Sequence, residues 1–280
     1  MLSYRHAFHA GNHADVLKHV VLLQLLEHLA AKDKPFWYID THAGAGSYTL
    51  TATPSASTGE HETGVTPLWH AKGLPAALAR YVALLHEMNP RGRLVHYPGS
   101  PWIARARMRQ HDQLWLHELH PADHARLARD FAANACHVRN IDGLGALKAL
   151  LPPQPRRALV LIDPSYELRE DYMRLPSVLQ QGLQRFATGI YLVWYPMLAR
   201  RDAHELPARL ASGVPRWLRA ELAIGSATEH GLYGSGVFVV NPPWTLQATL
   251  AEVLPRLAAL LGQDRHARYL LQTSPAENDG

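Results

Sequence analysis

Apolar residues in this chain come in short continuous runs that end on polar or acidic positions, with helix-period stretches between them. Ala158-Leu159-Val160-Leu161-Ile162 is the clearest run. It shows no alternation, as expected of a strand buried on both faces of a parallel sheet, and it ends at Asp163. Phe36–Asp40, Gln113–Glu118, Cys136–Asn140, Gly189–Trp194 and Val237–Val240 read as further strands. The strongest helical stretch runs from Ala14 to about Ala31, with Asn12 as N-cap and Asp15 in the first turn. Strands alternating with helices predict an α/β fold built on a doubly wound, Rossmann-like sheet. From about Leu50 to Gly64 the chain is rich in Ser, Thr, Gly and Pro, and a helical stretch carrying Leu74, Leu78, Tyr81, Val82 and Leu85 follows. We read 50–95 as a helical subdomain inserted between the first two core strands. The core is then 1–49 and 96–271, and 272–280 is a polar, frayed tail.

The acids fall into register with the strands. Asp40, Glu118, Asp142 and Asp163 lie at or just beyond the ends of four successive strands, and in an open parallel sheet those ends share the edge where ligands bind. The Gly44-Ala45-Gly46 turn allows backbone to approach a ligand. Glu118 is placed to take two ribose hydroxyls, and Asp142-Gly143 to address the adenine of a nucleoside cofactor. In Asp163-Pro164-Ser165-Tyr166 the Asp carboxylate and the Pro carbonyl can both accept from an exocyclic amine, while the Tyr ring offers a stacking face. Such a grip suits adenine, whose N6 lone pair is delocalised into the ring and is a poor nucleophile.

The glycine turn does not complete a dinucleotide fingerprint, because Thr49 occupies the third glycine position. S-adenosylmethionine needs no pyrophosphate cradle and is the favoured cofactor, with NAD the runner-up. His42 stands where that cofactor's first motif usually carries glycine, and its ring is expected at the methionine end. Asn241-Pro242-Pro243-Trp244 resembles an amino-methyltransferase motif more closely than Asp163–Tyr166 does. It trails a strand expected to run antiparallel, however, and so reads as a structural turn.

Composition adds bounds. The chain has 280 residues, net charge +4, a pI near 9.2 and 47% hydrophobic residues. A single cysteine, Cys136, excludes an intramolecular disulfide and fits a reducing compartment. No apolar run reaches membrane-spanning length, since Gln24 and Glu27 interrupt the best candidate, and Met1–His6 does not read as a signal peptide. A cytoplasmic location without membrane association is expected. Arg91, Arg93, Arg105, Arg107 and Arg109 form an acid-free cluster with Tyr97 and Trp102, the best candidate RNA surface by composition; Arg105 and Arg109 are expected to share a helix face. Tyr4, His6 and Lys18 offer a stacking ring, a polar ring and a phosphate-seeking amine near the acceptor. Of His6, His9, His13, His19 and His28, only His9 and His13 have helical i, i+4 spacing, without a Glu-x-x-His element, so no metal is expected.

Five segments resemble the ribosomal large-subunit methyltransferase J family. They are Tyr4–His19, Asp40–Gly46, Tyr97–Pro101, Glu118–Pro121 and Arg185–Tyr191, in order through almost the whole chain. The resemblance implies a class I S-adenosylmethionine-dependent methyltransferase with a small helical insertion, which N6-methylates one adenine of 23S ribosomal RNA. Carried over by motif, the cofactor contacts are His19, His42, Ser100, Glu118, Asp142 and Gly143, to which the turn adds Gly44. Asp163 touches the cofactor and is catalytic together with Pro164 and Tyr166. RNA contacts are expected from Tyr4, His6, Lys18, Arg105 and Arg109. Ser165 departs from the family's second proline, which puts the stiffness of the loop in question. The alternatives are a DNA-adenine methyltransferase, an NAD-dependent oxidoreductase and a non-catalytic RNA-binding protein. No obligate protein partner is evident.

Overall fold

The computed structural model describes residues 6–50, 59–133, 135–227 and 231–275. In chain order the elements are α1 (His13–Ala30), β1 (Trp37–Asp40), β2 (Ser47–Thr49), α2 (Val65–His70), α3 (Ala76–Met88), β3 (His96–Pro98) and α4 (Ser100–Arg105). They continue with β4 (Gln113–His117), α5 (Pro121–Asp130), β5 (Cys136–Arg139), α6 (Gly143–Leu150), β6 (Ala158–Ile162) and α7 (Arg169–Arg185). The last are β7 (Ile190–Met197), α8 (Arg201–Ala211), β8 (Trp217–Ala223), β9 (Gly234–Val240), α9 (Trp244–Leu261) and β10 (Arg268–Thr273).

The main sheet has the order β5-β4-β1-β6-β7-β9-β8-β10. The first five of these strands are mutually parallel; β9 runs antiparallel to both β7 and β8, and β10 antiparallel to β8. Chain order reverses at β1, which lies between β4 and β6, so a crevice opens beyond its carboxyl end. A parallel half closed by an antiparallel strand between its last two members is the class I methyltransferase arrangement, with β10 added at the edge.

All five residues of β6 are buried, which explains its unbroken apolar run. Helix α1 is apolar on nearly every side because it is covered on nearly every side: it touches β9, β7 and β6 as well as α3, α4 and α9. Asn12 caps it by accepting from the Asp15 amide at 3.0 Å, as its sequence predicts. Val65, Leu68, Leu78, Tyr81 and Leu85 of the 50–95 region are fully buried in the same cluster as the α1 leucines. No helix among the described residues is long and apolar enough to cross a membrane.

Four strands escape the sequence reading. β2 and β3 form a separate three-residue ladder, Ser47–Thr49 against His96–Pro98. β8 hides two charges within its pattern: Arg219 pairs with Glu221, and Glu221 accepts from the Tyr195 hydroxyl at 2.8 Å. β10 is an edge strand with mostly exposed side chains, and Thr273 pairs with Leu218, so the chain stays ordered beyond Leu271. β9 ends at Val240 opposite Tyr191, near the start of β7, which puts Asn241-Pro242-Pro243-Trp244 at the edge away from the crevice. There Asn241 (φ 53°) donates to the carbonyls of Ala187 and Gly189, in agreement with a structural turn.

The arginine cluster does not form the expected helix face. α4 ends at Arg105, and Arg109 lies in the irregular segment beyond it. Arg105 stacks over Trp102 at 4.3 Å and donates to the Asp130 carbonyl. Arg109 is consumed by structure: its guanidinium holds Asp112 and the carbonyls of Ala30, Lys32 and Lys34, while Asp112 accepts the Phe36 amide at 3.0 Å. Both arginines thus sit towards the amino-terminal edge of the sheet, away from the crevice. Arg109→Ala is expected to lower stability in urea by about 1–2 kcal/mol, a value discounted for the guanidinium's partial exposure. The salt dependence of RNA binding should stay unchanged, and a flatter salt slope would restore the arginine to the RNA surface.

Candidate active site

A cavity of about 840 Å³ occupies the crevice at the carboxyl ends of β1, β4 and β6. His42, Gly44, Ser100, Glu118, Asp142, Asp163 and Pro164 line it, as do His6, Lys18 and His19 from the N-terminal segment. Tyr4 lies outside the described residues.

Gly44 has φ 60°, and a Cβ there would stand 2.3 Å from the Tyr48 hydroxyl, so glycine is required twice over. Its amide donates to Glu118 Oε2 at 2.8 Å, and the His120 amide donates to Oε1 at 2.7 Å. Glu118 is thereby aimed into the cavity with acceptor capacity to spare, and burial pushes its carboxyl up. Asp142 caps α6 through the Leu144 amide at 3.1 Å and takes Arg174 at 2.5 Å. Burial works against its charge, but Arg174 outweighs burial and holds the carboxyl below its usual range. Gly143 is not a wall residue. A Cβ on it would stand 2.2 Å from the Thr41 carbonyl, so its role is to let α6 start against the exit of β1.

Asp40 forms the floor beneath this wall. It is fully buried and accepts from the Tyr38 hydroxyl at 2.7 Å, the Ser100 hydroxyl at 2.6 Å and the His42 amide at 3.1 Å. Burial raises its carboxyl to about 6. His42 and His19 are pushed down by burial, to about 4 and about 3, so both rings are neutral near pH 7. His42 bonds the Thr41 hydroxyl at 2.8 Å, and His19 the Tyr97 hydroxyl at 2.9 Å.

Lys18 is not a free phosphate-seeking amine. Only 4% exposed, it lies between two carboxylates, 2.9 Å from Asp15 Oδ1 and 2.6 Å from Asp163 Oδ2. Burial alone would favour the neutral amine; Asp15 and Asp163 overcome it and hold the ammonium well above the ordinary lysine value. Asp15 also accepts from the Gly11 amide at 2.9 Å and bonds His6 Nε2 at 3.0 Å, and its carboxyl stays well below the usual range against the effect of burial. The sequence reading places Asp15 only in the first turn of the helix, although its i, i+3 spacing to Lys18 is a signal for the pair.

Tyr166 departs most from expectation. It has φ 56°, is 4% exposed and does not line the cavity. Its hydroxyl donates to the Trp194 carbonyl at 2.5 Å, and its ring packs 4.7 Å from Tyr172 and 5.7 Å from Trp194. Asp163 and Pro164 face the cavity, whereas the tyrosine ring is turned into the core. Trp194, read from sequence only as a strand residue, lines the cavity in its place. Among the described residues, no cluster of three or more His, Cys, Asp or Glu side chains is arranged to hold a metal.

Removing Lys18 takes the shared cation from the buried Asp15 and the half-buried Asp163. Lys18→Met should therefore cost about 3 kcal/mol of folding stability in denaturant titrations, and a loss under 1 kcal/mol would contradict a structural role for the Lys18–Asp15 pair. Asp40 provides a pH test. Its folded value lies above the unfolded one, so its contribution favours folding at low pH and is lost as pH rises towards 6. The stability difference between Asp40→Asn and the parent should move in the variant's favour from pH 4 to pH 7. A pH-independent difference would show that folding leaves the Asp40 carboxyl unshifted.

The comparisons agree with this geometry. Residues 33–271 match the family described as ribosomal RNA large subunit methyltransferase D, RlmJ. The chain is 46% identical to the ribosomal RNA large subunit methyltransferase J of Escherichia coli K12, and 44% identical to that of Haemophilus influenzae. Each match covers 93% of this chain and 94% of the relative. A crystal structure of a Legionella pneumophila protein superposes with a TM-score of 0.90 at 34% identity, covering 96% of this chain and 99% of that one. With cavity, topology and relatives in accord, the chain belongs to the ribosomal RNA large subunit methyltransferase J family.

Proposed function

We propose that this protein transfers the methyl group of S-adenosylmethionine to N6 of one adenine in 23S ribosomal RNA, in the cytoplasm. The observation that carries the reading is the meeting of Asp163 and Pro164 with Glu118 and Gly44 in one cavity at the carboxyl edge of the sheet. The residues fit the cofactor. Glu118 keeps acceptor capacity for two ribose hydroxyls, Gly44 leaves the close approach open, and neutral His42 and His19 put no charge beside a sulfonium. Asp142 and Ser100 complete the wall. When bound, S-adenosylmethionine supplies an electrophilic methyl group.

The protein's part is to hold the amine. Asp163 and the Pro164 carbonyl accept its two N–H bonds, which draws the nitrogen towards sp3 and exposes its lone pair. Lys18 holds Asp163 Oδ2, and Asp163 Oδ1 remains to accept from the amine. The base has to leave its stack to reach a cavity this deep, and positioning supplies most of the acceleration. His6 stands at the cavity wall on the N-terminal side, within reach of the strand that carries the base.

The test is incubation with S-adenosylmethionine and unmodified 23S RNA, digestion to nucleosides and mass spectrometry for N6-methyladenosine, with a DNA control. Wild-type protein should yield product on RNA. Asp163→Ala, checked to be folded by circular dichroism, should lose on the order of 100-fold or more in rate. A folded, cofactor-binding wild type that gives no product would overturn the reading.

A further inference from the structure

We propose that the indole of Trp194 is the floor on which the acceptor adenine stacks, an inference that rests on the methyl-transfer reading above. The tyrosine that follows Asp163-Pro164-Ser165 is not available for this role. Its ring is packed against Tyr172 and Trp194, and its hydroxyl is spent on the Trp194 carbonyl.

The sheet register brings Trp194 to the site. Ile162 of β6 pairs with Val193 of β7, so Asp163, the first residue past β6, and Trp194, still within β7 and paired with Val237 of β9, stand at the same level. Both line the cavity, as does Pro164. The indole face is turned towards the Asp163 carboxylate: Lys18 Nζ lies over the ring at 5.7 Å from its centroid, and the same ammonium is 2.6 Å from Asp163 Oδ2. An N–H donor bound to Asp163 therefore already stands above Trp194. An exocyclic amine that binds the same carboxylate brings its purine beside the same ring. The Tyr166 hydroxyl, bonded to the Trp194 main chain, ties the amine-gripping loop to its own stacking floor. The ligand class is a 6-aminopurine extruded from an RNA strand.

Base–aromatic stacking predicts a loss of roughly 10- to 100-fold in methyl transfer for Trp194→Ala. Trp194→Phe should retain most of the activity, and S-adenosylmethionine affinity should be unchanged in both. Trp194→Phe also keeps the test interpretable if the alanine variant folds poorly. The direct readout is tryptophan fluorescence of the S-adenosylhomocysteine-bound protein titrated with adenosine. Saturable quenching should occur in the wild type and vanish in Trp194→Phe. Equal quenching in the two, or wild-type rates in a folded Trp194→Ala, would overturn the assignment. If the wild type binds cofactor yet methylates no RNA, the failure lies with the functional reading itself and takes this inference with it.

Discussion

A single buried cation ties the N-terminal helix to the chemistry. Lys18 leaves α1 and lies between Asp15 on its own helix and Asp163 at the end of β6, nearly out of contact with water. The buried pair, Lys18 and Asp15, is tolerable only together, because each offsets the desolvation of the other, and Asp163 meets the same ammonium from the cavity wall. The helix cannot slide or rotate on the sheet without separating them, so the apolar packing of α1 and the geometry of the site are set jointly. Asp163, which must accept from an amine, is already accepting from one.

Around this triplet, the sheet does the placing. Chain order reverses at β1, and the strand exits that flank it deliver Gly44, Glu118 and Asp163 to one cavity. Much of the wall is backbone donating to side chain, as in the Gly44 and His120 amides on Glu118 and the Leu144 amide on Asp142. Such bonds fix carboxylate direction with little loss of side-chain entropy on ligand binding, which is the sense in which the site is preorganised.

This part of the molecule was legible in the sequence because it follows from period and punctuation. Unbroken apolar runs gave the parallel strands, and an acid after each run gave the ligand edge. What stayed hidden depended on partners distant in sequence. Arg219 and Glu221 of β8 neutralise each other beside Tyr195, so a buried strand looks charged. Lys18 and Arg109 look like free cations until Asp163, 145 residues away, and the Lys32 and Lys34 carbonyls, 77 and 75 residues away, are brought to them. Tyr166 looks like a stacking face until its left-handed φ turns the ring inward. The strand exits are visible locally; which side chains remain unspent after folding is not.

Ser165 sharpens the point. A proline there would stiffen the amine-gripping loop by fixing its own φ, and serine gives up that restraint. The structure supplies another, one residue later. Tyr166 is held in an uncommon backbone region by its hydroxyl on the Trp194 carbonyl and by rings on two sides, an arrangement that persists only when the surroundings over-determine it. In this chain the restraint on the loop is a side chain locked into the core. It holds the Asp163 carboxylate and Pro164 carbonyl in direction with serine at position 165. The same lock that removes Tyr166 from the cavity gives the loop its rigidity, and it leaves the aromatic surface there to Trp194.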